Sequence, residues 1–114
     1  MEYWDIKNIN FSLIDEDDSR KEEFDKQILE RGFDDSETWS LRDTIANFII
    51  PRLERYQEIA NDFLIRDEEL VQDIDLFLNS MKLVSEDRTW AINDIEEINK
   101  GLSKFPKIFM SLWW

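Results

Sequence analysis

No histidine and no cysteine occur in the 114 residues of this chain. Without histidine it lacks the commonest general base, the commonest transition-metal ligand and the side chain that titrates near neutral pH. Without cysteine it builds no disulfide, iron–sulfur cluster or thiolate zinc site, which suits a reducing cytoplasm. Glycine and proline are scarce, two of each, disfavouring a turn-rich β fold and long flexible linkers. Gly32 and Gly101 fit no phosphate-binding loop, and a serine nucleophile finds no histidine to activate it. These absences predict a protein that is not an enzyme, with no cofactor and no metal. No window approaches the ~18 to 20 consecutive apolar residues of a membrane span. The opening "MEYWDIKNIN" shows no basic stretch followed by an apolar run, so neither a leader nor a membrane is expected.

What is abundant is acid. The net charge is −13, from 27 acids and 14 bases. Residues 1–99 hold all 27 acids and 11 of the bases, a net −16, whereas residues 100–114 hold only Lys100, Lys104 and Lys107, a net +3. Such a surface repels duplex nucleic acid and anionic membranes and attracts a basic protein surface. Tryptophan is also abundant, five residues, with Trp4, Trp113 and Trp114 near the two ends of the sequence. Indoles are costly to leave in water and are enriched at interface hot spots.

The apolar pattern predicts a single helical domain over 1–114, with an N-terminal arm and acidic linker at 1–18 and a helical bundle at 19–114. In the arm, Ile9, Phe11 and Leu13 alternate with polar residues, as in a short extended or edge-strand segment. Ser19 and Glu22 have the spacing of a capping box for a first helix over roughly 20–31, with Gly32 as a left-handed C-terminal cap. In "FDDSETW", Ser36 and Ser40 are candidate N-caps. Leu41, Ile45, Phe48, Ile49, Leu53, Tyr56, Ile59 or Ala60, and Phe63 then trace one face of a second helix. Pro51 lies within that run and predicts a kink, because it removes a donor and crowds the preceding turn. A third helix opens on the acids Asp67, Glu68 and Glu69 and carries the stripe Leu70, Val71, Ile74, Phe77, Leu78 and Met81. A fourth begins near 85–88 with Ala91, Ile95, Ile98 and Leu102 inward, and Pro106 suits the first turn of a short last helix. Four to five amphipathic helices with short connections define an all-α bundle.

The candidate binding residues are Trp39, Arg42, Arg52, Arg55, Trp113 and Trp114. An arginine beside Trp39 could stack on or pair with a small anionic ligand such as a nucleotide; equally, Arg52 and Arg55 are spaced to pair with Glu58 on their own helix. The segment "SLWW" either closes the core or docks into another subunit or partner. The carboxylate pairs Glu54/Glu58 and Asp94/Glu97 have helical spacing that magnesium would accept, but with 27 acids such pairs arise by chance. A calcium loop starting at Asp15 fails, because Arg20 falls at the glycine position and Lys26 at the bidentate glutamate position.

The stretch "ETWSLRDTIANFIIPRLERYQE", Glu37 to Glu58, resembles a segment of small, mostly uncharacterised proteins of tailed bacteriophages. There a tryptophan-x-leucine entry leads into a helix with an alanine, an isoleucine and a proline-arginine-leucine step. "TWAINDIEEINKGLSKF" is loosely similar to a later stretch of the same proteins, and Arg42 stands where many of them carry an acid. The resemblance implies phage origin and a small helical fold. The resulting expectation is an oligomeric interaction protein in the host cytoplasm that binds and inhibits a host factor with a basic surface. The alternatives are a sponge for a nucleotide signal and a structural phage component.

Overall fold

In a computed structural model the described residues are 8–63, 67–86 and 88–114, with Phe63 described for its backbone alone. Trp4, residues 1–7 of the expected arm and the side chain of Phe63 lie outside them. The fold is all-α. Its elements are α1 (Lys21–Arg31), a 3-10 helix (Asp35–Thr38), α2 (Leu41–Phe63), α3 (Glu68–Ser85), α4 (Ile92–Leu102), the single-turn α5 (Phe105–Ile108) and a 3-10 turn (Phe109–Ser111). The described residues contain no strand, and residues 10–14 are irregular rather than a β-edge. The chain divides into two compact units, Met1–Phe48 and Ile49–Trp114, with α2 contributing its start to the first and its remainder to the second.

In the first unit, α1 does not use the Ser19/Glu22 capping box. Arg20 is the N-cap and makes no side-chain cap; the Asp18 carboxylate accepts from the Arg20 N–H at 2.8 Å instead. The Asp18 side chain reaches forward two residues, so that it and not Ser19 satisfies a backbone N–H at the helix start. Gly32 ends α1 as anticipated, at φ 90°, with its N–H donating to the Ile28 carbonyl at 2.8 Å. The 3-10 helix that follows is capped by Asp34 and Glu37, not by Ser36. Ser40 starts α2 through its carbonyl, which accepts from Asp43 and Thr44 N–H.

Helix α2 runs unbroken through Pro51, and the structure does not confirm the kink. The expected inward face is only partly buried. Leu53 and Ala60 are buried, and so is Ala46, but Leu41, Ile45 and Phe48 are about half exposed. Periodicity identifies an apolar stripe without saying whether anything is available to cover it.

The second unit is centred on α3. Its N-cap is Asp67, whose carboxylate accepts from the Glu69 N–H at 2.8 Å. Ile74, Phe77, Leu78 and Met81 are buried as the stripe predicts, with Val84 added. Helix α4 starts at Ile92 rather than at 85–88. The intervening segment is held by Arg88, which grips Asp94 at 2.8 and 3.1 Å, and by Trp90, whose Nε1–H donates to the Leu83 carbonyl at 3.0 Å. The α4 face toward α3 is also corrected: Ile98 and Gly101 are buried, whereas Ala91, Ile95 and Leu102 are exposed. The cause is a close helix approach. Ser80 Oγ reaches the carbonyls of Glu97 and Ile98, each at 3.0 Å, and a Cβ on Gly101 would stand 1.8 Å from that oxygen and 2.3 Å from the Leu76 carbonyl. Only glycine fits there.

Candidate interaction surface

The sequence-predicted residues fall in different units. Trp39 and Arg42 belong to the first, and Arg52, Arg55, Trp113 and Trp114 to the second. Trp39 follows the 3-10 helix and packs on Phe24, ring centroids 6.1 Å apart. The cation over its face is Arg20, at 5.1 Å from the ring centroid, and not one of the predicted arginines; Arg20 lies over Phe24 as well. Arg42 is exposed, 3.8 Å from the Asp43 carboxylate. Arg52 is exposed on α2. Arg55 pairs with Glu58 at 2.8 Å, an exposed i,i+3 contact. Arg42 and Arg55 thus each have a carboxylate of their own helix within 4 Å.

Three of the four carboxylates in the Glu54/Glu58 and Asp94/Glu97 pairs are met by bases. Glu54 lies 3.7 Å from Lys82, Glu58 is engaged by Arg55, and Asp94 is held by Arg88 and by the Ala91 N–H at 2.9 Å. The Arg88 contact keeps the Asp94 carboxyl below the usual range. Among the described residues no group of three or more acids is placed to hold a metal ion.

The two indoles of "SLWW" do not close the core. The backbone of this segment is tied down by Tyr56 of α2, whose hydroxyl donates to the Ser111 carbonyl at 2.8 Å and lies 3.2 Å from that of Trp113. The apolar side chains face outward: Phe109 is 55%, Met110 81%, Trp113 66% and Trp114 62% exposed. Phe109 is anchored from within. Its ring lies 5.2 Å from Phe105, which lies 4.7 Å edge-on from buried Phe77. The neighbouring lysines are occupied: Lys107 contacts Asp73 at 2.9 Å and also Glu69, and Lys104 lies 3.6 Å from Asp73. Lys107 holds the nearly buried Asp73 carboxyl below its ordinary value of 3.8.

Helix α4 offers a second exposed apolar strip. At 100° per residue, Ile92, Ile95, Asn99 and Leu102 share a face beside the one packed on α3, while Asn93, Glu96, Glu97 and Lys100 form the polar face. Ile92, Ile95 and Leu102 are 75%, 45% and 42% exposed.

Sequence reasoning missed the polar heart of the first unit. Asp34 and Ser36 are fully buried and Glu37 nearly so. The Asp34 carboxylate accepts from Ser12 Oγ, Ser36 Oγ and the Ser36 N–H, and Ser36 Oγ accepts from the Leu13 N–H at 2.8 Å. Glu37 accepts from the Asp34 N–H at 2.7 Å and from the backbone of Phe11. Burial pushes the Glu37 carboxyl above its ordinary value of 4.5, against those hydrogen bonds and helped by nearby Asp34. The signal was available: Asp34 and Glu37 have capping-box spacing. All the donors to this cluster are neutral, so it reads as the clasp that ties residues 11–14 to the 3-10 helix.

The chain matches no known protein-family model, no curated protein and no solved structure. No helix among the described residues is long and apolar enough to cross a membrane.

Proposed function

We propose that this is a non-enzymatic interaction protein of bacteriophage type that binds and inhibits a host factor with a basic surface, such as a defence protein. The observation that carries this reading is the outward apolar stripe of α4, Ile92, Ile95 and Leu102, bordered at Ile92 by Glu96 on a protein of net charge −13. An apolar strip with an acidic border suits helix-in-groove recognition by a basic partner: burial of the strip supplies affinity, and charge speeds and orients encounter. The resemblance of Glu37–Glu58 to small tailed-phage proteins supports the phage setting, and the lack of histidine and cysteine supports a binding rather than a catalytic role.

The test is capture of partners from a bacterial host lysate on the immobilised protein, with Ile95→Lys as control. Ile95 is exposed, so this variant keeps its fold while disrupting the strip. The expected result is a basic host protein retained by wild type, lost with Ile95→Lys, and weakened by salt. Capture unaffected by Ile95→Lys, or native mass spectra showing a bound nucleotide as the sole companion, would sink the proposal.

A further inference from the structure

We propose that residues 10–14 form a proton-controlled strap. It is closed on the 3-10 helix and on Phe48 while the Glu37 carboxyl is protonated, and it lifts as that carboxyl ionises, with the rest of the chain still folded. The device is separate from the α4 stripe and does not rest on the host-factor reading.

The strap is held by few ties, all ending in one place. Residues 10–14 have no regular structure, and none of them is buried. Their hydrogen bonds to other elements go to Asp34, Ser36 and Glu37 alone: Ser12 Oγ donates to the Asp34 carboxylate, the Leu13 N–H to Ser36 Oγ at 2.8 Å, and the Phe11 N–H to Glu37. The one ring contact is Phe11 edge-on to Phe48, centroids 6.3 Å apart. A segment with so little apolar burial opens at a small fraction of the cost of unfolding.

Those ties enclose two acids with no cation among their hydrogen-bond donors. Asp34 is fully buried and Glu37 nearly so, and each accepts only from neutral N–H and O–H groups. From α1 the nearest base is Arg31, which is engaged by Asp35 at 2.6 Å and acts only weakly on Glu37. From α2 the neighbour is Thr44, whose neutral hydroxyl donates to the Glu37 main-chain carbonyl at 2.7 Å. The strap itself carries no charge between Asn10 and Ile14. Two carboxyls in one dry site favour keeping a proton on one of them. Burial raises the Glu37 carboxyl above its ordinary value of 4.5, and the Asp34 charge adds to the rise. Lifting the strap admits water to both acids and returns Glu37 to its ordinary range. Closure is therefore strongest below about 4.5 and weakens as pH climbs through the raised value.

Lifting has a consequence at the surface. Phe48 shares one face of α2 with Leu41 and Ile45, at steps of four and three, and all three are about half exposed. Removing the Phe11 ring from Phe48 enlarges the apolar surface that α2 shows to solvent.

The experiment is NMR of the full chain between about pH 4 and pH 8. Exchange at the Phe11 and Leu13 amides is expressed as protection relative to an unstructured chain, which removes the intrinsic pH dependence of exchange. Protection should fall at least about threefold as pH rises, in step with the Glu37 side-chain carboxyl shift. Cross-peaks between the Phe11 and Phe48 rings should fade with it, while α3 amides stay protected. Glu37→Gln keeps an acceptor but cannot ionise, so its strap should stay closed at every pH. Ser12→Ala removes one tie without touching either acid, and should lower protection throughout while keeping the pH dependence. Wild-type protection that does not change with pH, a fall that persists in Glu37→Gln, or a parallel loss in α3 would each overturn the proposal. A Glu37 carboxyl that titrates at or below 4.5 in the folded wild type would overturn it whatever the variants do.

Discussion

The two units are held by different chemistry. In the first, the buried residues among those described are Phe24 and Ala46 together with Asp34, Ser36 and Glu37, and the loop residues 11–13 are fixed by hydrogen bonds to the last three. In the second, α3 buries Ile74, Phe77, Leu78, Met81 and Val84, and packs against Ile98, Gly101 and Ile108 of the following elements. Hydrogen bonds are directional and contribute about 1 kcal/mol each net, but leaving a buried partner unsatisfied is costly. Apolar burial is additive and non-directional, at roughly 25 cal/mol per Å². The first unit is thus specified by a few irreplaceable atoms, and the second by volume.

The strongest way to break that contrast is Ile74→Ala. Ile74 is fully buried, and truncation should cost about 3–4 kcal/mol, read as accelerated amide exchange confined to residues 49–114. Next comes Gly101→Ala, where the added methyl meets a backbone carbonyl that has little room to move; a loss of about 2–3 kcal/mol is expected in thermal or urea unfolding. In the other unit Asp34→Ala should cost about 2 kcal/mol, because Ser12 Oγ and the Ser36 N–H and hydroxyl lose their acceptor. Its signature is faster exchange at the Leu13 and Ser36 amides with exchange in α3 unchanged.

Proton titration sharpens the comparison through two carboxyls of opposite sign. The folded pKa of Glu37 is raised, so wild type should lose stability relative to Glu37→Gln as pH climbs from about 4.5 through that higher value. The folded pKa of Asp73 is lowered, chiefly by Lys107. The advantage of wild type over Asp73→Asn should be complete above the ordinary 3.8 and fade as pH falls through the lower folded value. Parallel urea titrations of both variants from pH 3 to 8 read the two slopes. The smallest effect belongs to Arg55→Ala. Its pairing with Glu58 is exposed, and less than about 0.5 kcal/mol should be lost, within the scatter of a melting curve.

How far the molecule was legible varies element by element. The α3 stripe, the acids at its start and Gly32 at the end of α1 were read correctly, because each depends on residues within a turn or two. Ser19 looked like a cap and was displaced by Asp18, a competition between neighbours that spacing alone does not settle. The inward face of α4 was right at Ile98 and misplaced at Ala91, Ile95 and Leu102, because its packing line follows the contact of Gly101 with Ser80, residues 21 apart in sequence. Leu41 and Ile45 lie on the apolar face that the spacing traces along α2 and stand at the surface. Of the candidate binding residues, Trp113 and Trp114 are exposed on a backbone anchored by Tyr56, a tether across 55 residues that no local pattern announces. The arginine over Trp39 is Arg20, for the same reason.

By itself the sequence determined the helical character, the helices in their order, the charge imbalance and the exclusion of histidine and cysteine chemistry. These follow from composition and from periodicities that act within a few residues. Only the tertiary structure decided which apolar stripes are covered, that Asp34 and Glu37 are interior, and that the indoles of residues 113 and 114 face outward. Burial depends on the surface that distant parts of the chain bring opposite, and a helix carries no local record of its neighbour.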